Sequence, residues 1–237
     1  MLARWPLIAY SRDYLNMSHE AKQRIYEQFA RVGKALAAPA RLELIDLLAQ
    51  GERSVDALAR EAALSIANAS QHLQVLHAAR LVETRREGQR IFYRLAGPAV
   101  EALWLSLRGT AEAQLAELPG VALEYLGDPD ALEPIDRAEL ARRLDAGTVV
   151  LIDVRPAEEY AQGHIAGAVS VPLDQLATWA KQAPRRKQIV AYCRGPYCVY
   201  ASQAVTELQR RGLRATRAED GVPEWRAAGL PVAAGAS

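Results

Sequence analysis

The stretch Val190-Ala191-Tyr192-Cys193-Arg194-Gly195-Pro196-Tyr197-Cys198-Val199 decides how the C-terminal half is read. An apolar run ends at Cys193, a short polar loop follows, and a helical pattern starts near Cys198. Such a run, bounded by Gly and Pro, reads as a buried strand. A strand that feeds a helix through a tight loop turns backbone N–H groups toward whatever the loop holds, and the helix N-terminus favours an anion there. Cys193 and Cys198 are the only cysteines in the chain. Cys193 is the leading candidate for chemistry. Its thiolate is an anion, and the loop is expected to lower its pKa. Arg194 adds positive charge, Gly195 permits a bend, Pro196 removes one loop N–H, and Tyr197 completes the loop.

Outward from this loop, strands alternate with helices. The pattern gives a helix over Arg137–Leu144, a strand over Val149–Val154, a helix near Leu173–Lys181 and a strand over Gln188–Tyr192. A helix over Val199–Arg211 and a short strand over Leu213–Arg217 complete it. This order predicts an α/β domain over residues 134–234, with a parallel sheet covered by helices. Asp153 is expected to hydrogen-bond the loop. Arg155 is expected at the pocket mouth or paired with an acid such as Glu158. His164, in a Gly-His-Ile-Ala-Gly turn, is expected to be structural, and Trp225 with Gly221 to close the domain by packing.

The first half reads differently. Residues 18–120 carry helical periodicity and caps, and residues 121–133, with Gly127-Asp128-Pro129-Asp130, read as a linker. A helix runs from Glu20 to Leu36, with Ser18 as its cap; either Met17 is the true start, or residues 1–16 form a loose arm. Pro39 opens the next helix and Gly51 ends it. Ser54 caps Val55–Ala62, a tight turn falls at Ala63-Leu64, and Ser65 caps a helix to about Ala79. Two short helices so joined make a helix-turn-helix. Asn68, Ser70, Gln71, His72 and Gln74 supply polar groups suited to base edges in the major groove. Strand-like Leu81–Thr84 and Gln89–Leu95 flank Arg85-Arg86-Glu87-Gly88 and read as a β-hairpin wing. Arg85, Arg86, Gln89 and Arg90 near its tip suit phosphates or the minor groove. Pro98 opens a helix whose apolar stripe includes Leu103, Trp104, Leu107 and Leu115. That stripe is expected to be a dimer surface, the alternative being packing on its own domain.

Composition narrows the classes. The 237 residues suit two domains, and half are apolar, so both can bury cores. No apolar run approaches the roughly 20 residues needed to span a bilayer, so no membrane partner is expected. No signal-peptide pattern is present, and two cysteines suit a reducing cytoplasm rather than a disulfide scaffold. Net charge is only +1, but the window Arg80–Arg94 holds five arginines against two glutamates.

Two family resemblances follow from these residues. Pro39-Ala40-Arg41-Leu42, Ala69-Ser70-Gln71-His72-Leu73-Gln74-Val75-Leu76 and Gly88-Gln89-Arg90-Ile91-Phe92-Tyr93 resemble the ArsR-type winged helix-turn-helix repressors over about Ala21–Leu118. The resemblance implies a homodimer that binds an inverted-repeat DNA operator and releases it when an inducer binds. Metal-sensing members carry thiols in the helix that here begins Ser54-Val55-Asp56. This chain has none, and its histidines lack ligand spacing, so neither a metal site nor a cofactor is expected.

Leu151-Ile152-Asp153-Val154-Arg155, Glu158-Glu159-Tyr160, Gly163-His164-Ile165-Ala166-Gly167-Ala168, Tyr192-Cys193-Arg194-Gly195 and Gly221…Trp225…Ala228-Gly229-Leu230-Pro231-Val232 resemble the rhodanese domain. In that family the cysteine after the central strand becomes a persulfide, and Cys193 occupies that position. A phosphatase-like relative would carry Arg six positions after the cysteine; here Val199 stands there, which favours sulfur over phosphate. The implied partner is a sulfane-sulfur donor such as thiosulfate or a persulfide. Cys198 departs from the family pattern. It reads either as a packed first-turn thiol or as a resolving thiol for Cys193. The expected function is a sulfur-controlled transcriptional repressor, the alternative being a sulfurtransferase with a DNA-binding domain.

Overall fold

The computed structural model describes the backbone of residues 12–126 and 134–235. The expected linker core at Gly127–Asp130 and most of the arm ahead of Met17 lie outside these residues. Helix α1 spans Arg12–Leu36 and is already under way at Ser18, so Ser18 is not the cap that starts it.

Helices α2 (Pro39–Ala49), α3 (Val55–Glu61) and α4 (Ile66–Ala78) follow. The caps are local and legible: Ser54 accepts from the Ala57 N–H and Ser65 from the Asn68 N–H. Between α3 and α4, Ala63 adopts φ 51°, a left-handed conformation that makes the turn short. Leu44, Ile45, Leu58, Leu73 and Leu76 are fully buried where α2, α3 and α4 meet. The wing is β2 (Val82–Glu87) with β3 (Arg90–Leu95), paired antiparallel from Val82↔Leu95 to Glu87↔Arg90. The turn is therefore only Gly88-Gln89, with Gly88 at φ 59°. Arg85 and Arg86, expected in the turn, lie in β2. A short strand β1 (Arg53–Ser54), absent from the sequence reading, pairs with the other edge of β3 at Tyr93 and Phe92.

Helix α5 (Pro98–Gln114) stops one residue before Leu115, and α6 (Leu118–Leu126) occupies the first part of the stretch expected as linker. In the second domain, α7 (Arg137–Asp145) precedes β4 (Val149–Asp153), α8 (Ala157–Gln162), β5 (His164–Ile165) and β6 (Val169–Ser170). Then come α9 (Leu176–Trp179), β7 (Gln188–Tyr192), α10 (Val199–Arg210), β8 (Ala215–Arg217), α11 (Val222–Ala227) and β9 (Val232–Ala233). The main sheet has order β6-β4-β7-β8 and is parallel throughout, while β5 and β9 form a separate antiparallel pair.

Strand alternation divides the core. Ile152, Ala191 and Cys193 face α10, through Ala201 and Val205, while Leu151, Val190 and Tyr192 face Val222 and Trp225. The register Asp153↔Tyr192 sets these two side by side at the carboxyl ends of β4 and β7. Sites in open parallel sheets gather at that end.

Candidate functional site

The loop Cys193–Cys198 leaves the carboxyl end of β7 and enters α10, with Cys198 as the N-cap residue. Gly195 takes φ 135°, which an L side chain rarely adopts, and the Cys198 N–H returns to the Gly195 carbonyl at 3.2 Å. Gly221 permits a close approach from beneath. A Cβ there would stand 2.7 Å from the Arg194 carbonyl carbon and 2.8 Å from the Cys193 oxygen. Trp225, as expected, is buried, and its indole N–H donates to the Pro231 carbonyl at 3.0 Å.

The two thiols differ in depth. Cys193 is 2% exposed and packs in the sheet–α10 core, whereas Cys198 is half-buried. The Cys193 thiol donates to the Cys198 carbonyl oxygen at 3.4 Å. Burial pushes the Cys193 thiol well above its usual value, reinforced by its hydrogen bond to Cys198 and the charge there. Cys198 is lowered to about 7, first by the Cys193 hydrogen bond and then, against burial, by the Arg194 and Tyr200 N–H groups and the Arg194 charge. The pKa lowering expected at Cys193 is not found there, because the sheet core dehydrates that thiol.

Asp153 and Arg155 are fully buried and support the loop from below rather than touching it. Asp153 accepts from Arg155 Nη2 at 2.6 Å and from the Tyr192 hydroxyl at 2.6 Å, which fixes the residue before Cys193. The expectation that Asp153 bonds the loop itself is corrected accordingly. Arg155 is not at a pocket mouth and does not use Glu158. It pairs with Asp153, donates to the Gly163 carbonyl at 2.7 Å, and lies 3.9 Å from Glu159. His164 is buried, stacks on Tyr160 at 3.7 Å and bonds its carbonyl at 2.8 Å, a structural role.

The loop is docked on the helix-turn-helix domain. Arg194 Nη2 lies 2.6 Å from Glu159 of α8 and 2.5 Å from Glu61, the last residue of α3. Arg53 of β1 binds the same two carboxylates, at 2.6 Å to Glu61 and 2.8 Å to Glu159. Gln50, just past α2, donates to the Arg194 carbonyl at 3.0 Å and accepts from Arg155 at 3.1 Å. Further bridges join Arg108 to Glu224 at 2.7 Å, Arg226 to Glu101 at 2.6 Å, and the Tyr197 hydroxyl to Glu112 at 3.0 Å. A cavity of about 220 Å³ lies at this junction, bordered by the whole loop from Arg194 to Cys198 and by Asp46, Glu61, Trp104 and Arg108 from the first domain. Cys193 does not line it. Glu61, Arg53, Gln50 and Glu159 were missed from sequence because the contacts that join them across the two domains link residues more than 100 positions apart and leave no local signal.

In the first domain, Asn68, Gln71 and Gln74 of α4 are exposed, Ser70 and His72 are half-buried, and Ser65 is engaged as the cap. Gln89 and Arg90 are exposed at the wing tip. Arg85 is bound to Glu52 at 2.6 Å and Glu87 at 2.7 Å, and Arg86 donates to the Gly88 carbonyl at 3.2 Å. Leu103, Leu107 and Leu115 are exposed, as are Ile25, Tyr26 and Phe29 of α1, which the sequence reading did not include. Trp104 departs from that apolar face: it packs on its own domain, and its indole N–H donates to Asp46 at 2.9 Å. Among the described residues no helix is long and apolar enough to cross a membrane, and no group of three or more His, Cys, Asp or Glu is placed to hold a metal ion.

A winged helix-turn-helix followed by a rhodanese-type α/β fold defines the class. The model of the bacterial regulatory protein arsR family matches residues 38–84, and that of the rhodanese-like domain matches residues 136–228. An HTH-type transcriptional regulator of Mycobacterium tuberculosis, Rv0324, is 47% identical over 217 residues, covering 92% of this chain and 95% of the relative. A sulfurtransferase of Allochromatium vinosum is 33% identical over 102 residues, covering 42% of this chain and 94% of the relative. A solution structure of the homodimeric winged helix-turn-helix DNA-binding domain of a possible ArsR-family regulator from Mycobacterium bovis is 39% identical. It has a TM-score of 0.39 and covers 49% of this chain and 95% of that one. The chain belongs to the ArsR-family HTH-type transcriptional regulators that carry a C-terminal rhodanese-like domain.

Proposed function

We propose that this regulator acts as a homodimeric repressor whose hold on an inverted-repeat operator is set by the sulfur state of the Cys193–Cys198 loop. The observation that carries the reading is the position of Arg194. One guanidinium joins the thiol loop to Glu159 of its own domain and to Glu61 at the end of α3, the helix just before α4. Addition of sulfur to the loop introduces an anion beside Arg194 and competes with those carboxylates. Glu61 and Arg53 lie on the elements that set the angle of α4 and the wing, so a change at the loop reaches the DNA-facing side through a short chain of charged contacts. Coupling of about 1–3 kcal/mol changes operator affinity roughly 5–150-fold.

In this reading Asn68, Gln71, His72 and Gln74 read base edges, with Ser65 and Ser70 beside them, and Arg85, Arg86, Gln89 and Arg90 meet phosphates. The exposed faces of α1 and α5 form the dimer contact. The donor is a small sulfane-sulfur compound such as a persulfide or thiosulfate.

The likeness to a sulfurtransferase over nearly the whole of that relative supports a second reading, in which the loop turns over sulfur as an enzyme. The walls that the first domain adds around the loop favour control over rapid turnover. The experiment is titration of labelled upstream DNA with full-length protein, with and without inorganic polysulfide, beside a thiosulfate:cyanide sulfurtransferase assay. Loss of DNA affinity with feeble turnover is the expected result; rapid turnover with unchanged affinity refutes the regulatory reading.

A further inference from the structure

We infer that the rhodanese-like domain carries a second DNA-contacting surface, a patch of unmatched arginines and lysines at the amino ends of its strands that grips phosphates outside the operator core. The inference rests on the membership of the chain among HTH-type transcriptional regulators and not on sulfur chemistry at the loop.

The fold assembles the patch. Strands β4, β7 and β8 are parallel neighbours, so their amino ends lie together at the end of the sheet opposite the thiol loop, about 16 Å away along β7. Lys181 follows α9, Arg185-Arg186-Lys187 lead into β7, Arg210 ends α10, and Arg214 precedes β8. These pieces touch. Arg214 Nη2 donates to the Arg186 carbonyl at 2.6 Å, and the Arg214 carbonyl accepts from the Ile189 N–H at 2.8 Å. Arg143 of α7 reaches the same end, where it donates to the Gln188 side chain at 2.6 Å.

The charge there is not cancelled. Lys181, Arg185, Arg186, Lys187, Arg210 and Arg214 are all exposed. Among the described residues none of them has a carboxylate in ion-pair contact; the acids nearby are already used, Glu207 by Arg211 and Glu139 by Arg142 and Arg143. Asp145, near the end of α7, offsets one charge at most. From Gln175 to Thr206 the sequence holds no acidic residue. The whole chain is only +1, so the excess is local and the remainder is net acidic. Unmatched charge of one sign, held on the ends of a rigid sheet, fits a polyanion.

Two arguments make that polyanion DNA. Arginine dominates the patch, and its planar fork matches phosphate oxygens. Tethering then favours DNA over other polyanions, because a domain joined to a DNA-bound one meets the neighbouring duplex at high effective concentration. The domain also stands beside the wing. Gln162 Nε2 donates to the Glu52 carbonyl at 3.0 Å, and a cleft of about 650 Å³ is bordered by Arg85 and Arg90 of the wing and by Glu158 of α8. Phosphate contacts carry no base information, so the patch adds affinity and salt dependence rather than sequence preference.

The test compares reduced full-length wild type with a triple variant, Arg185→Ala with Arg186→Ala and Lys187→Ala. A second variant, Lys181→Ala with Arg210→Ala, removes no hydrogen bond, and urea unfolding checks both. Affinity is read by fluorescence anisotropy against salt concentration, on labelled upstream DNA and on the same site trimmed to its footprinted core. On the long duplex the slope of log K against log salt is expected to fall by about two to three for the triple variant, with affinity near physiological salt lowered about tenfold or more. On the trimmed duplex the proteins are expected to agree within about twofold. Contact with a separate duplex gives a different positive: wild type, and neither variant, carries labelled non-operator DNA onto bead-bound operator. An unchanged slope on the long duplex together with equal capture overturns the proposal and points to an acidic protein as the partner. Equal losses on the long and trimmed duplexes also overturn it, because they place the defect in the first domain. Every arm is run without polysulfide, so the sulfur-controlled reading stands or falls separately.

Discussion

Replacing Gly221 with alanine isolates the contact that holds the thiol loop at its depth. The added methyl would stand 2.7 Å from the Arg194 carbonyl carbon and 2.8 Å from the oxygens of Arg194 and Cys193. The backbone at Gly221 has φ −105°, which suits any residue, so the whole cost is steric. Carbon atoms settle at about 3.5–4.0 Å, and the loop backbone must therefore retreat by roughly 1 Å. Overpacking on this scale costs about 1–3 kcal/mol. The retreat also moves the Arg194 carbonyl, which accepts the interdomain hydrogen bond from Gln50 at 3.0 Å. Urea unfolding of the full-length protein, followed by tryptophan fluorescence, should show a midpoint lowered by about 1 M for the C-terminal transition. Iodoacetamide labelling of Cys198 should change in the same protein. Gly163→Ala is the control: its Cβ meets the end of the Arg226 side chain at 3.4 Å and Val232 at an ordinary 3.8 Å, and its stability should stay within about 0.5 kcal/mol of wild type. A Gly221→Ala protein with the wild-type midpoint and the wild-type labelling rate refutes the argument that this glycine sets the loop.

Glu61→Gln removes the charge shared by Arg53 and Arg194. Loss of one partner from a buried pair costs about 3–5 kcal/mol, and partial exposure here reduces that to about 1–2 kcal/mol. The polysulfide response in DNA titrations should shrink about fivefold or more; a full response would show that the network carries no coupling. Asp46 is raised to about 6, chiefly by burial and against the Trp104 hydrogen bond. Its protonated form is favoured by folding, so its contribution is fully present below the unfolded value near pH 4 and is lost as pH rises through about 6. Asp46→Asn should therefore stabilise the protein by about 2 kcal/mol at pH 8 and by almost nothing at pH 4, as read in parallel urea titrations. The pH dependence of Cys198 alkylation should have its midpoint near 7, and Cys193→Ala should move it upward by removing the hydrogen bond that lowers it most. An unmoved midpoint would mean that the deeper thiol does not tune the outer one.

Features set by neighbours in sequence were legible, and features set by packing were not. Ser54 and Ser65 announced the starts of α3 and α4 because a hydroxyl reaches an N–H three residues on. Val190–Val199 announced strand, loop and helix because its apolar run stops at a Gly-Pro turn. Arg85-Arg86-Glu87 reads as part of the turn that contains Gly88, yet a two-residue Gly88-Gln89 turn keeps all three in the strand. Helices α8 and α11, six residues each, are too short for a 3.6-residue period to stand out. The loop cysteines were found in sequence, but their relative depth was not. It depends on how α10 lies on the sheet, which places Ala201 and Val205 over Cys193 and leaves Cys198 at the cavity. The junction itself was invisible for the same reason: Glu61 meets Arg194 only after both domains have folded.

The pairing of the cavity's guanidiniums with carboxylates has a consequence for selectivity. Arg194 is matched by Glu61 and Glu159, and Arg108 by Glu224, so both arginines bordering the space are already neutralised. Sulfate and phosphate, abundant in any cell, would find no spare countercharge to replace their hydration shells there. On the proposed reading, a molecule that binds by exchanging a sulfur–sulfur bond needs no such charge, and the loop would stay silent amid common oxyanions while answering to chalcogen chains.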